Sequence, residues 1–449
     1  MVFTLALVEA GALSGALCAM VLFWLPPVVA DWVDAGMLLA RIMAVTGCCI
    51  AAFYYNDLYN FRLVRSFAAF MPRLLQSFGV AFILLAGCYF LFPGLRIAKG
   101  PFVSSFVLVI TLLVPLRGVS YAALRRRVFT ERILLVGASP LARSLVAEID
   151  ANLESRCVVV GIADDSPGEE SAPRYPLLGP LARLEKIIEE TRPDRIIVTM
   201  SERRGRLPVG TLLAARGVGI AVDDGVHLYE RLAGKLAIES LTPSGLLFAS
   251  DFRRPRIHAV LSRALSVSAS LIALVVVAPL LMLIALAIKL DSVGPVLFIQ
   301  DRVGRRGRSF KLLKFRTMHP APRQASAWVV DNRHRITRVG QWLRRFRLDE
   351  LPQFVNVVRG DMNLVGPRPH PVCNFELFSE RIPYYSLRAI IRPGVTGWAQ
   401  VRYGYANDLA EETEKMRHDL YYIKHRSLWL DLRIVADSVK IVMFGRGAR

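Results

Sequence analysis

The chain has few cysteines and few charged residues for its length. Only six of its 449 residues are cysteine, and their spacing forms no Cys-x-x-Cys pair or Cys/His cluster suited to a metal. We therefore expect neither a disulfide framework nor a structural zinc site. Charged residues make up 21% of the chain and apolar residues 53%, a balance that excludes a disordered protein.

Acidic residues are also scarce relative to basic ones. The chain has 37 Asp plus Glu against 57 Lys plus Arg, which gives a formal charge of +20, and most of this excess follows residue 250. A basic C-terminal part indicates an anionic partner, which is nucleic acid, a phosphate-bearing substrate or anionic lipid. The sequence has no helix-turn-helix or aromatic-basic motif, so no nucleic-acid partner is expected.

Long apolar runs occupy the first quarter of the chain. Four of them cover about residues 3–30, 35–55, 67–92 and 102–116, and most reach the length of about 20 residues that spans a bilayer. Arginines follow the second and fourth runs, whereas aspartates follow the first. The sequence therefore predicts a transmembrane four-helix bundle over residues 1–125, with both of its ends in the cytoplasm.

Residues 126–250 alternate between short apolar strands and helical patterns. Strands are predicted near 133–136, 157–162, 195–199 and 218–222, which favours a Rossmann-like α/β domain with a parallel sheet. The turn after the first strand is a degenerate dinucleotide fingerprint, in which Gly137 remains and Ser139 replaces the second glycine. The turn makes Gly137 and Ser139 weak nucleotide-binding candidates, and a purely structural or regulatory domain is the alternative.

A fifth apolar run covers residues 264–288 and contains Pro279. A spanning helix kinked at the proline is one interpretation. Arginines and lysines flank both ends of the run, and the positive-inside rule places both flanks in the cytoplasm. We therefore predict a re-entrant helix-break-helix over residues 258–291 that returns at Pro279.

The segment after residue 298 contains the candidate chemistry. Asp349 and Glu350 are adjacent in an arginine-rich stretch, and neighbouring carboxylates need a cation, either arginine or a metal. Oxygen ligands without histidines favour Mg²⁺ bound together with substrate phosphates. An ionised aspartate beside such phosphates can attack phosphorus. A surface ion pair between Asp349 and Arg344 on an amphipathic helix is the alternative.

Several longer strings lie around this acidic pair. They are Phe310 to Met318, which contains Lys314, then Leu348-Asp349-Glu350-Leu351-Pro352-Gln353, Gly366-Pro367-Arg368-Pro369, and Arg392-Pro393-Gly394-Val395-Thr396-Gly397-Trp398. From about Arg256 to the C-terminus these strings resemble the catalytic domain of the monotopic phosphoglycosyl transferases, also called bacterial sugar transferases. The two preceding parts are similar to the long-form subgroup that initiates exopolysaccharide or O-antigen synthesis.

The resemblance implies a fold and a set of site residues. The fold is an α-rich membrane protein with a monotopic catalytic domain over residues 251–449, in which Pro279 breaks the re-entrant helix. Asp349 is the expected nucleophile and Mg²⁺ ligand, with Glu350 as the second member of the dyad. The expected phosphate-binding residues are Lys314, Arg344, Arg368 and Arg392. The chain departs from the family pattern at Ser266 and Ala278, which bear on membrane anchoring.

The resemblance also implies an activity. Members transfer a sugar-1-phosphate from a UDP-sugar to undecaprenyl phosphate, release UMP and pass through an aspartyl-phosphosugar intermediate. We therefore expect a multi-pass protein of the bacterial inner membrane, in contact with its lipid, whose α/β and catalytic domains face the cytoplasm. A catalytically silent scaffold of polysaccharide assembly is the alternative. The sequence leaves open a homodimer, the identity of the sugar and the prenyl chain length.

Overall fold

The computed structural model describes residues 2–24, 35–59, 67–97, 99–125, 130–151, 157–165, 175–200, 205–238, 256–319, 335–404 and 406–444. The chain divides into two compact units, Met1–Gly225 and Val226–Arg449. The domain boundaries predicted near residues 126 and 251 fall outside the described residues, so the prediction of three domains stays untested at those points.

Four long helices form the first part of the first unit. They are α1 (Val2–Trp24), α2 (Ala35–Tyr55), α3 (Phe67–Leu91) and α4 (Lys99–Arg125). Leucine, alanine and phenylalanine side chains from all four helices form one apolar core. Stretches of α1, α2 and α3 are long and apolar enough to cross a membrane, whereas the apolar part of α4 is shorter, Phe106–Val119. The predicted bundle of apolar helices is present, and its fourth member is the weakest candidate span.

A buried ion pair joins α1 to α4 inside this bundle. The guanidinium of Arg117 donates to both carboxylate oxygens of Glu9, and both side chains are 1% exposed. The hydroxyl of Tyr59 donates to Glu9 at 2.7 Å, and Arg117 donates to the carbonyl oxygen of Leu58 at 3.0 Å. The carboxylate and guanidinium are therefore both paired, as charges buried in an apolar bundle must be.

A five-stranded parallel sheet forms the rest of the first unit. Its strands pair in the order β3-β2-β1-β4-β5, which matches the first five strands of the doubly wound order 3-2-1-4-5-6. Four side chains in a row, Ile133 to Val136, are fully buried in the central strand, as expected for a sheet covered on both faces. The strands and helices are β1 (Glu131–Val136), α5 (Pro140–Ala151), β2 (Cys157–Ala163), β3 (Leu177–Gly179), α6 (Leu184–Thr191), β4 (Arg195–Val198), α7 (Val209–Gly217) and β5 (Ala221–Asp224).

The predicted strands agree with this sheet except at two places. The three-residue strand β3 was not predicted, because a strand this short carries no periodic pattern. The last predicted strand, 218–222, begins too early. Helix α7 continues to Gly217, and Gly219 then turns the chain with a φ of 95°, so β5 begins at Ala221.

The second unit combines one long apolar helix with short strands and helices. A two-stranded antiparallel hairpin, β6 with β7, and a two-stranded parallel pair, β8 with β9, form its sheets. The elements are α8 (Gly225–Ala233), α9 (Arg256–Asp291), β6 (Leu297–Val303), β7 (Ser309–Phe315), α10 (Arg338–Arg345), α11 (Gln353–Arg359), β8 (Asn363–Val365), α12 (Val372–Arg381), β9 (Gly394–Thr396), α13 (Trp398–Arg402), α14 (Leu409–His425) and α15 (Leu428–Phe444).

Helix α8, apart from its first residue, belongs to this second unit. The carboxylate of Glu230 is buried and accepts from Nζ of Lys424 on α14 at 2.9 Å. The indole of Trp398 donates to the carbonyl oxygen of Gly234 at 2.7 Å, and Leu236 is fully buried in the core of this unit. Residues 226–238 thus form part of the second unit, although the sequence-based prediction assigned them to the preceding α/β domain.

Helix α9 runs for 36 residues and passes through Pro279 without interruption in its secondary structure. Most of its apolar side chains are exposed, including Val275 at 75% and Met282 at 69%. A helix with its middle so apolar and so exposed requires an apolar surrounding. The break at Pro279 and the re-entrant path stay predictions.

Candidate active site

The acidic pair lies in a tight turn between α10 and α11. Arg347, in the left-handed region with a φ of 53°, reverses the chain after α10, and a 3₁₀ turn over Leu348–Glu350 follows. Leu348 and Leu351 pack against the apolar cluster formed around Ile284 and Phe315. These two leucines anchor the turn, so Asp349 and Glu350 are held in place and only 7% exposed.

Three cations hold the carboxylate of Glu350. Arg368 donates from Nη2 to Oε1 at 2.6 Å, Nζ of Lys314 lies 3.7 Å from the same oxygen, and Nη1 of Arg347 lies 3.9 Å from Oε2. Burial alone would raise the pKa of Glu350, but Arg368 and Lys314 together lower it well below its usual range. Glu350 is therefore an ionised, clamped group that organises the cations around it.

Asp349 differs from its neighbour in its surroundings. No ion pair joins it to any residue that the structure describes, and burial raises its pKa, while Lys314, Arg368 and Arg344 lower it and Glu350 raises it further. Its carboxyl group is thus adjacent to positive charge but not tied to it. A carboxylate in this state can act as a nucleophile, because its oxygens are not already occupied by strong donors.

Lys314 lies on β7, where it pairs in register with Phe298 of β6. Burial and the nearby charge of Arg368 lower the pKa of Lys314 to about 8, against the attraction of Glu350 and Asp349. The lysine therefore carries its charge at neutral pH and loses it in mildly alkaline solution. Lys314 is therefore suited to binding an anion, whose negative charge would offset the positive charge of the cations around Glu350.

Arg368 lies on a loop that backbone contacts fix closely. Strands β8 and β9 pair so that Val365 lies opposite Thr396, which brings the Gly-Pro-Arg-Pro string beside the Arg-Pro-Gly-Val-Thr-Gly string. A Cβ on Gly394 would overlap the backbone nitrogen of Gly366. The glycines of these strings are therefore required for the close approach of two strands, and the approach presents Arg368 to Glu350.

The remaining predicted phosphate ligands divide into two cases. Arg344, on the last turn of α10, lies close enough to Asp349 to lower its pKa. Arg392 donates from Nε to the carbonyl oxygen of Gly360 at 3.0 Å, and it lowers the pKa of Arg305. The described contacts of Arg392 thus join it to the α11 turn and the β6–β7 hairpin, and none joins it to the acidic pair.

The chain is similar in sequence to proteins of two known families. The sequence profile of a family described as bacterial sugar transferase matches residues 257–445, and that of a family described as CoA-binding domain matches residues 55–207. An Aeromonas hydrophila protein, UDP-N-acetylgalactosamine-undecaprenyl-phosphate N-acetylgalactosaminephosphotransferase, is 44% identical over 224 residues, which cover 50% of this chain and 52% of that protein. A Komagataeibacter xylinus undecaprenyl-phosphate glucose phosphotransferase is 34% identical over 333 residues, 72% of this chain and 61% of that protein.

A third relative aligns along most of both chains. The UDP-glucose:undecaprenyl-phosphate glucose-1-phosphate transferase of Klebsiella pneumoniae is 30% identical over 397 residues, which cover 86% of this chain and 84% of that protein. The chain belongs to the bacterial sugar transferase family. Against the first two relatives, by contrast, the chain spans only about half to three-fifths of their length.

This family member has site residues that the sequence did not single out. Arg302 on β6 is buried and donates to the carbonyl oxygen of Pro369 at 2.9 Å, so it supports the Arg368 loop. Burial and the nearby charge of Arg368 lower the pKa of Arg302 to about 10. Arg347 contributes to the Glu350 clamp described above. Both lie in arginine-rich strings, where the sequence pattern does not distinguish them from surface residues.

A buried ionic network lies behind Arg368. Glu412 accepts from the hydroxyl of Tyr385 at 2.8 Å, and its Oε1 lies 3.2 Å from Nη1 of Arg388 and 3.2 Å from Nε2 of His370. Arg388 also pairs with Asp419 at 2.6 Å. Burial lowers the pKa of His370 to about 3, although Glu412 opposes the shift, so the imidazole is neutral at pH 7. The network fixes the end of the Arg368 loop through His370.

The weak nucleotide-binding candidates lie in the first unit and are engaged by their own surroundings. Ser139 donates from Oγ to the carbonyl oxygen of Thr199 at 2.6 Å. The backbone N–H of Ala138 donates to Asp164 at 2.5 Å, and a Cβ on Gly137 would meet Met200. A phosphate at this turn would have to displace the Asp164 carboxylate, so the local geometry favours a structural turn.

Proposed function

We propose that this protein transfers a sugar-1-phosphate from a UDP-sugar to undecaprenyl phosphate and releases UMP. The observation that carries the proposal is the contrast within the acidic pair. Glu350 is clamped by cations, whereas Asp349 is buried beside the same cations and forms no ion pair with any described residue. The names of the relatives describe this kind of transfer.

The proposed chemistry has two displacements at one phosphorus. A carboxylate oxygen of Asp349 attacks the sugar-bearing phosphorus of the donor, the bond to the bridging oxygen breaks, and UMP leaves with the electron pair. In the second step, a phosphate oxygen of the acceptor attacks the same phosphorus, and the Asp349 carboxylate leaves. Phosphoryl transfer of this kind depends mainly on positioning and charge neutralisation. Lys314, Arg368 and Arg344 supply both to the diphosphate.

Mg²⁺ is part of the proposal. Within the described residues, no group of three or more His, Cys, Asp or Glu side chains is arranged to hold a metal. The donor set at the site fits Mg²⁺ only as one or two carboxylates completed by substrate phosphates, which is how this ion commonly binds. Asp349 is the available ligand, since Glu350 is occupied by Arg368. When bound, the ion would neutralise the donor diphosphate.

The membrane arrangement that we propose is the re-entrant one. Near the start of α9, Ser262 bonds to Asp431 at 3.0 Å, and at its end Asp291 accepts from the backbone of Val339 at 3.1 Å. These two positions would be about 44 Å apart in a straight helix. Both of them contact other helices of the second unit, α15 and α10. These contacts support a path that leaves the bilayer on the side where it entered, at the cytoplasmic face of the inner membrane.

A donor screen tests the proposed function. The purified protein, with Mg²⁺ and undecaprenyl phosphate, is offered a panel of UDP-sugars, and UMP release is measured. At least one donor is expected to be consumed, and Asp349→Asn is expected to abolish the reaction without loss of folding. Asp301→Asn, at an exposed carboxylate on β6, is the matched control and keeps activity. No UMP release with any donor would favour a silent scaffold.

A further inference from the structure

A cavity opens beside the acidic pair, and helix α15 forms part of its lining. It has a volume of about 280 Å³, close to the lower end of the range for small-molecule pockets. Arg347 and Glu350 lie side by side in the lining, and most of the other lining residues are apolar. These apolar residues include Phe354, Leu364, Val401, Val435, Val439 and Val442.

The few polar side chains in the lining are bonded to the protein. The hydroxyls of Thr396 and Ser438 lie 2.5 Å apart, and Ser438 also donates to the carbonyl oxygen of Ile434 at 2.6 Å. The amide of Gln400 donates to the carbonyl oxygen of Val395 at 3.2 Å. Oε1 of Gln400, which lies against Gly397, has no hydrogen-bond partner among the described residues. The cavity is therefore an apolar space with one charged region.

This shape fits a ligand with an anionic head and an apolar tail. The head would lie at the cluster of Lys314, Arg347 and Arg368, where positive charge exceeds the charge of the two carboxylates. The tail would occupy the aliphatic part, since a charged or hydroxylated group placed there would lose its hydration without compensation.

The wall formed by α15 connects the cavity with the apolar surface of the unit. Helix α15 contacts α9 through Asp431 and Ser262, and it exposes Trp429 at 68%. The exposed apolar face of α9 adjoins it. A chain that enters from the bilayer along α9 would therefore reach the cavity past α15.

We propose that this cavity holds the first isoprene units of the prenyl phosphate acceptor, next to the phosphate that attacks the intermediate. The proposal rests on the function proposed above and adds where the acceptor's tail is seated. The tail leaves one apolar medium for another, so its burial adds little affinity. The cavity acts instead by holding the acceptor phosphate in line with Asp349, where a small misplacement lowers the rate by up to about 100-fold.

The proposal is tested by a substitution on α15 that narrows the cavity. Val435→Phe places a ring into the lining, and Leu432→Phe places the same ring on the exposed face of the same helix as the matched control. Each protein is assayed for UMP release from donor alone and for transfer to a prenyl phosphate in liposomes. We expect Val435→Phe to lower kcat/KM for the acceptor about tenfold or more and to leave the donor step intact, with Leu432→Phe unchanged in both.

Other outcomes have defined meanings. An unchanged acceptor kcat/KM in Val435→Phe overturns the proposal while the proposed function stands. Selective loss of the donor step overturns it as well, because the cavity then holds a nucleobase that donates to Gln400. If Val435→Phe does not fold, Val439→Phe, at a half-exposed position of the same wall, decides by the same criteria. An unbranched alkyl phosphate tests whether the cavity is specific for isoprene units or accepts any lipid chain. If the wild-type protein used it as an acceptor as well as it uses prenyl phosphate, specificity for isoprene units would be contradicted.

Discussion

The charge of Lys314 should make the rate of the donor step depend on pH. Its pKa falls from 10.5 to about 8 because it is buried and lies beside Arg368. If the ammonium binds the donor diphosphate, the donor step should decline as pH rises through about 8. The lysine is about 90% protonated at pH 7 and about 10% protonated at pH 9, so the step should fall roughly tenfold between these values.

The free energy of unfolding should rise with pH, whereas the rate of the donor step falls. The unfolded chain holds the Lys314 proton up to about pH 10.5, whereas the folded protein releases it near 8. The unfolded state therefore binds more protons in this window, so the free energy of unfolding rises with pH. The total gain from this group is about 3 kcal/mol, which is an order-of-magnitude figure for a buried lysine.

The assay measures UMP release from donor alone between pH 6 and 10, for the wild type and for Lys314→Arg. Arginine keeps its charge throughout, so the variant should lose the decline near pH 8 even if its overall rate is lower. The variant also separates the titration of the lysine from that of the donor's uracil ring. The ring loses a proton at alkaline pH with either protein. A decline that persists unchanged in Lys314→Arg would refute the reasoning.

Three further predictions concern the framework of the site. Glu230→Ala should destabilise the second unit by about 3–5 kcal/mol, because it removes the buried carboxylate to which Lys424 donates, and unfolding of the purified protein in denaturant measures this loss. Gly394→Ala should cost about 1–3 kcal/mol in the same assay, because its Cβ overlaps Gly366, whereas Gly210→Ala, with open space around it, should not. Arg302→Met should slow the donor step about tenfold or more, with little change in donor KM, because the Arg368 loop loses its support.

Much of the fold could be predicted from local pattern. The apolar helices of the bundle and the strands of the parallel sheet follow from runs of apolar residues with the right length and spacing. The start of β5 was misplaced, because Val218 continues an apolar pattern that Gly219 interrupts with a turn. The assignment of residues 226–238 also differs, since the pairing of Glu230 with Lys424 joins positions 194 apart in the chain, a separation that no local pattern reports.

The site residues could be predicted where reactive side chains are also neighbours in the sequence. Asp349 and Glu350 are neighbours in the chain, and Lys314 and Arg368 were both expected near phosphate. Their different roles depend on three-dimensional neighbours, because only the fold determines which carboxylate the cations clamp. The contribution of Arg302 was missed for the same reason. The path of α9 past Pro279 stays a prediction, since a proline within an apolar run is compatible with a kink and with a return.

The most direct test of the central claim is the mass of the intact protein after exposure to a consumed UDP-sugar without acceptor. We expect an added sugar phosphate that maps to the peptide containing Asp349, is released by hydroxylamine or by prenyl phosphate, and is absent from Asp349→Asn. Transfer that proceeds at full rate with no such adduct, and with UMP released only when the acceptor is present, would contradict it.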